Sequence, residues 1–212
     1  MSVKLTRRLI LAAAFAAAAA PAFAAPEAIG PQINAPAPAF TAVDETGRAH
    51  ALTQYRGKIV VLEWTSDACP YSHKHYDSQN MQRLQAAARK QGVVWLTVMT
   101  APPTSAEFMT PAEVIRWKAK ERSHANAVLI DADGKLARAY EAKTTPHMFV
   151  VDPKGLLVYM GGIDDRPYVD PASLKGAHNY VAAALADLKA HRPVAQPVTR
   201  PYGCSVKYPP AG

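Results

Sequence analysis

The chain has 212 residues, with 24 Lys and Arg against 17 Asp and Glu and a formal net charge of +7. That length suits one domain with a sizeable core plus appendages. The basic residues are mixed with acidic ones and never form a run of five or six, so the charge pattern holds no nucleic-acid footprint.

Lys4, Arg7 and Arg8 precede an unbroken apolar run over residues 9–20, and Ala22-Phe23-Ala24 supplies a small-x-small cleavage pattern. Residues 1–24 therefore read as a cleaved secretory signal. The apolar run is shorter than the ~20 residues that span a bilayer, so no membrane association is expected after cleavage. The arginine pair fits both the twin-arginine and the general export routes. Cleavage removes three positive charges from +7 and leaves +4. Residues 25–39 are rich in Ala and Pro without periodicity and read as a flexible lead-in.

Residues 40–52 read as a hairpin turning at Asp44-Glu45-Thr46-Gly47. The almost continuously apolar, β-branched stretch 59–64 predicts a central strand covered on both faces. Residues 72–90 predict one helix, stopped by Gly92, and 93–100 a second buried strand. Thr110-Pro111-Ala112-Glu113 is a capping signature that opens a helix to about residue 121. A third strand over 127–131 ends in the turn Asp131-Ala132-Asp133-Gly134. Strands at 148–151 and 156–160 flank the turn Asp152-Pro153-Lys154-Gly155. A last helix covers 176–190, and 191–212 is an aperiodic, proline-rich tail. Strands alternating with helices and then a terminal hairpin give one α/β domain over 40–190, with helices on both faces of a mixed sheet.

Two cysteines, Cys69 and Cys204, survive signal cleavage. In an exported, oxidising setting they pair by default, unless one is kept for chemistry. Cys69 lies just before a helix, where free backbone N–H groups and the helix dipole favour a thiolate. A buried structural cysteine is the plainer alternative. Ser72 is either a hydroxyl donor to that thiolate or an ordinary first-turn polar residue. Glu63 interrupts an apolar strand, so burial should raise its pKa toward neutrality. Cys204 sits in a tail long enough to cover ~43 Å, so it can reach Cys69 either as a redox partner or as a static staple. No cofactor is required. The alternative is a soft Cu(I) site from Cys69, His73 and His147; His73 shares the helix face of Cys69 and His75 points away.

Cys69-Pro70 between strand and helix and Thr145-Pro146 before the later hairpin resemble the thioredoxin-like three-layer fold. More closely, the chain resembles the peroxiredoxin-like branch of exported redoxins related to alkyl hydroperoxide reductase and thiol-specific antioxidant. The resemblance rests on Tyr55-Arg56-Gly57-Lys58, Leu62-Glu63-Trp64-Thr65, Lys74-His75-Tyr76, Gly162-Ile163-Asp164-Asp165 and 202–208, besides the two proline motifs. It implies a cis Thr145-Pro146 bond, a substrate-binding backbone at Thr145, and a proton-relaying acid at Glu63. Ser66 matches the Ser or Thr of peroxiredoxins three residues before the reactive cysteine, and Trp64 joins Ser66 and Ser72 as expected thiolate or substrate support. Ser72 stands where a dithiol motif has its second cysteine, and Leu62 where peroxiredoxins have proline. The implied function is thiol-dependent oxidoreduction of a thiol or disulfide protein or a small hydroperoxide, in the periplasm or outside the cell. A separate reductant would recycle it. A copper-binding or thiol-reactive carrier without turnover is the alternative.

Overall fold

The structure, a computed structural model, describes residues 30–210. The signal over 1–24 and the first part of the lead-in lie outside the described residues. Strands β1 (Thr41–Asp44) and β2 (Ala49–Ala51) form the first hairpin, followed by β3 (Val60–Trp64), β4 (Val94–Met99) and β5 (Ala127–Ile130). Strands β6 (Thr144–Thr145), β7 (His147–Val151), β8 (Leu157–Gly161) and β9 (Cys204–Ser205) complete the set. The main sheet has seven strands in the order β2-β1-β5-β4-β3-β7-β8. Strands β3, β4 and β5 run parallel, and the outer pairs are antiparallel.

The continuous apolar run at β3 follows from its double cover. Leu62 and Trp64 share one core face with Leu96, Phe149 and Tyr140. Val61 turns to the other, with Trp95, Met148 and side chains from the helices. Each such fully buried aliphatic side chain contributes ~1.5–3 kcal/mol. That second face carries α1 (Pro70–Asp77), α2 (Asn80–Lys90), α3 (Pro111–Lys120) and α5 (Tyr180–Lys189), while α4 (Lys135–Ala139) packs on the first. The sheet between two layers is the three-layer α/β fold expected. Among the described residues no helix is long and apolar enough to cross a membrane.

Three stretches differ from the sequence reading. The helix expected over 72–90 is broken at Ser78 and Gln79, where Gln79 has φ 59°. The Ser78 hydroxyl donates to the Lys74 carbonyl at 2.6 Å and so ends α1. The short α4 carried no periodic signal; it is held by Asp131, whose carboxylate accepts from Leu136 and Ala137 N–H at 3.0 and 2.9 Å. The lead-in read as flexible is paired where it is described. Asn34 N–H donates to Leu157 O and Leu157 N–H to Ala35 O, at 2.7 and 2.9 Å, and Ala37 reaches the core. The capping signature at Thr110 is present in both directions.

Candidate functional site

Cys69 is the N-cap of α1, with Pro70 at the first helical position. Its extended backbone (φ −95°, ψ 116°) ends the run from β3 and hands the chain to the helix. The side chain is buried, and its thiol donates to the Thr145 carbonyl at 2.9 Å. The Thr145-Pro146 peptide bond that follows this carbonyl is cis.

The tail completes the site. Residues 197–199 run along β8, with Met160 N–H donating to Pro197 O and Thr199 N–H to Met160 O. The chain then crosses to β6, where Cys204 and Ser205 pair antiparallel with Thr145 and Thr144. Gly203 has φ +134°, and a Cβ there would fall 2.0 Å from Thr145 O, so only glycine lets the tail lie this close. Beyond Cys204, Val206 is buried and the Tyr208 hydroxyl donates to Ala137 O and Ala142 O. The backbone of Thr145, expected to receive a substrate strand, is occupied by the protein's own tail.

This arrangement sets Cys204 against Cys69, both as free thiols. Burial opposes ionisation of Cys69. Hydrogen bonds from the Cys204 thiol and from the backbone N–H groups of Ser72 and Cys204 outweigh it and hold Cys69 below the ordinary cysteine value. Cys204 moves the opposite way. Burial, its bond to Cys69 and the Cys69 charge push it up to about 12, with Glu107 adding to the rise. One sulfur is tuned to give up its proton and its neighbour to keep one.

The supporting residues fall in three groups. Ser72 contributes through its backbone, because its buried hydroxyl has no hydrogen-bond partner among the described residues. Ser66 accepts the Cys69 N–H through its carbonyl at 3.2 Å, while its hydroxyl donates to Glu107 at 2.9 Å. Trp64 is a core residue instead of a thiolate support: its indole N–H donates to Thr100 at 3.1 Å and its ring packs on Tyr140 and Phe149.

Glu63 is fully buried, as its strand position predicts, and accepts from Tyr76, Trp95, Gln85 and Thr97 at 2.7, 2.7, 3.0 and 3.1 Å. Burial raises its pKa to about 6 despite these bonds. None of these four donors bonds directly to Cys69. His73 gives its Nε2 to Asp67 O at 2.6 Å, and the buried His147 accepts the Lys143 N–H at Nδ1. Burial lowers His147 to about 3. Cys69, His73 and His147 are not brought together, and among the described residues no group of three or more His, Cys, Asp and Glu side chains is placed to hold a metal.

Residues 33–160 match the AhpC/TSA family, well over half of the chain. The chain belongs to that family. It is thus a thioredoxin-fold redoxin, an oxidoreductase class that works through sulfur. No curated protein matches it in sequence. Among solved structures it is similar to an uncharacterized conserved protein from Geobacillus kaustophilus, at 22% identity and TM-score 0.73, over 85% of this chain and 94% of that one. It is also similar to a hypothetical protein from Sinorhizobium meliloti 1021, at 21% identity and TM-score 0.72, over 85% and 96% of the two chains. At these identities the likeness is one of fold. The AhpC/TSA match ends at residue 160, so Cys69, Glu63 and the cis-proline loop fall inside it and Cys204 falls outside. Lys74, His75 and Asp164, buried and bonded to the half-buried Tyr202 of the tail, were given no role by sequence reasoning. Lys74 and His75 stand in the polar stretch 72–77, where nothing in the spacing marks them for burial.

Proposed function

We propose that this protein is an exported thiol-dependent oxidoreductase in which Cys69 attacks and Cys204 resolves. The observation that carries the reading is the meeting of the two thiols across the β6–β9 pair, with their proton affinities pushed apart. Export rests on the basic start and the apolar run before Ala24.

In the first step the Cys69 thiolate attacks one sulfur of a substrate disulfide or the terminal oxygen of a hydroperoxide. A mixed disulfide or a sulfenic acid forms, and a thiolate or alkoxide leaves. Cys204, which holds a proton and faces the reacting sulfur, supplies that proton to the leaving group. The resulting Cys204 thiolate then attacks Cys69. The second leaving group is the other substrate thiolate, or hydroxide from the sulfenic acid, which takes a proton from solvent, and the Cys69–Cys204 disulfide forms. Two electrons have moved from the cysteine pair to the substrate, and a separate dithiol reductant returns them. Sulfur carries every electron, so the scheme uses no cofactor or metal. A cleft of about 540 Å³ lined by Thr144, Asp164, Arg200, Tyr202 and Gly203 lies along the tail just before Cys204.

The test treats the reduced protein with one equivalent of a hydroperoxide or of a small disulfide, followed by peptide mapping. Wild type should lose two thiols and yield a Cys69–Cys204 linked peptide. Cys204→Ser should stall as a sulfenic acid or mixed disulfide on Cys69. Equal turnover by Cys69→Ser and wild type with both substrates would overturn the reading.

A further inference from the structure

The chemistry above leaves unused the most deeply buried charged side chains near the thiols. Lys74 and His75 lie on α1, five and six residues after Cys69 on the same helix, and their side chains are fully buried. Asp164, beyond β8, is equally buried, with Oδ1 3.8 Å from Lys74 Nζ and Oδ2 3.9 Å from His75 Nε2. Burying a lysine and a carboxylate is costly unless their polar atoms are met by good hydrogen bonds. Asp164 Oδ1 accepts the Arg166 N–H at 2.9 Å, Oδ2 has no hydrogen-bond partner among the described residues, and one side chain from the tail joins the group. The Tyr202 hydroxyl donates to Asp164 Oδ1 at 2.5 Å and lies 3.1 Å from both Lys74 Nζ and His75 Nε2.

The bonding at the Tyr202 hydroxyl is self-consistent. Asn80 Nδ2 lies 2.8 Å from His75 Nδ1, and as the amide donates there, the imidazole proton sits on Nε2 and points at Tyr202. Burial and the Lys74 charge push the His75 pKa down to about 3, so the ring is neutral and has one donor to give. The phenol oxygen then donates once and accepts twice, its full capacity. Lys74 Nζ also donates to Arg166 O at 2.5 Å and stands 4.8 Å over the Tyr202 ring.

We infer that Tyr202 is a positioning residue, keyed into a socket of Lys74, His75 and Asp164 so that Cys204, two residues further on, is held against Cys69. The inference rests on the reading of Cys204 as the resolving thiol. Its force comes from connectivity. The helix that presents Cys69 also presents two walls of the socket, so docking Tyr202 refers the tail to the same rigid body as the attacking sulfur. A fixed approach raises the effective concentration of one thiol at the other. The tail is anchored upstream along β8 and downstream at Val206 and Tyr208, and Tyr202 sets the stretch between them.

The test uses the full chain and the Tyr202→Phe variant, which keeps the ring and removes the hydroxyl. In a graded glutathione buffer, the equilibrium constant for the Cys69–Cys204 disulfide should fall by about tenfold or more, the scale of losing buried charge-assisted hydrogen bonds. Tyr140→Phe, which loses its hydrogen bond to Pro38 O in the lead-in and leaves the tail untouched, should change it less than about twofold by comparison. In a Cys204→Ser background, Tyr202→Phe should also raise the rate at which iodoacetamide labels Cys69, because the tail covers that sulfur. If Tyr202→Phe does not fold, Asp164→Asn should lower the disulfide equilibrium in the same direction. Wild-type values in both assays, or an equal effect from Tyr140→Phe, would overturn the assignment. Absence of the disulfide in wild type would defeat the functional reading instead, and the labelling rates would still decide the role of Tyr202.

Discussion

Two buried carboxylates stand near the reactive helix, and they are satisfied in opposite ways. Glu63 sits inside the sheet-and-helix body among four neutral donors, and its pKa is raised to about 6. Asp164 sits where the tail meets the body, with a lysine, a histidine and a tail tyrosine around it. Neutral donors stabilise a carboxylate only partly, so burial still favours its protonated form. At Asp164 a buried lysine faces the carboxylate instead, and the tail tyrosine closes over the pair. The acid that the family likeness marks for proton transfer is therefore sealed within the core, and the acid with no implied role lies at the mount of the second thiol. The body tunes protonation, and the tail sets sulfur-to-sulfur geometry.

The sharpest way to break that division is to move the tail while leaving both acids intact. Gly203→Ala puts a methyl 2.0 Å from Thr145 O at a backbone φ of +134°. Overlap and strain of this kind cost about 3 kcal/mol. The Cys69–Cys204 disulfide equilibrium should fall roughly 100-fold. If the two regions are independent, the carboxyl resonance of Glu63 will keep its midpoint near 6 in the variant. A displaced midpoint would join them.

A smaller effect probes the body alone. The folded-state pKa of Glu63 is raised from 4.5 to about 6, so the folded protein holds that proton more tightly than the unfolded chain. The stability this provides is complete below about pH 4.5 and is lost as pH rises through about 6. The loss amounts to ~2 kcal/mol, from 1.36 kcal/mol for each unit between 4.5 and about 6. Urea unfolding of the reduced protein at pH 4.5 and pH 7 should show this drop, and Glu63→Gln should remove it. An unchanged slope in Glu63→Gln would place the titration elsewhere.

The body was far more legible in the chain than the tail. Apolar β-branched runs between turn residues mark 59–64, 93–100 and 127–131, and these become β3, β4 and β5 because a doubly covered sheet needs that composition. Burial of Glu63 follows from the same pattern. The break between α1 and α2 escaped because Ser78 ends the helix with its side chain, which leaves the apolar spacing undisturbed. The lead-in at 34–37 and the tail at 197–208 are ordered by backbone pairing and by single anchors such as Tyr202 and Gly203, and such pairing leaves no periodicity. Cys69 announced itself by standing before a helix. The placing of Cys204 depended on contacts made across more than 120 residues.

The smallest expected effect is also the most diagnostic of how the site activates its thiolate. Ser72 replaces the second cysteine of a dithiol motif, and its hydroxyl was one expected donor to Cys69. That hydroxyl is buried without a partner among the described residues, whereas the Ser72 backbone N–H supports the sulfur. Ser72→Ala keeps the N–H and removes an unsatisfied oxygen, so the change in stability should stay within about 0.5 kcal/mol. The pH midpoint for alkylation of Cys69 should remain that of wild type, since the helix N-terminus and the Cys204 thiol are untouched. A rise of one unit or more would mean that the hydroxyl rotates onto the thiolate once the proton leaves, and the low pKa would then belong partly to a side chain.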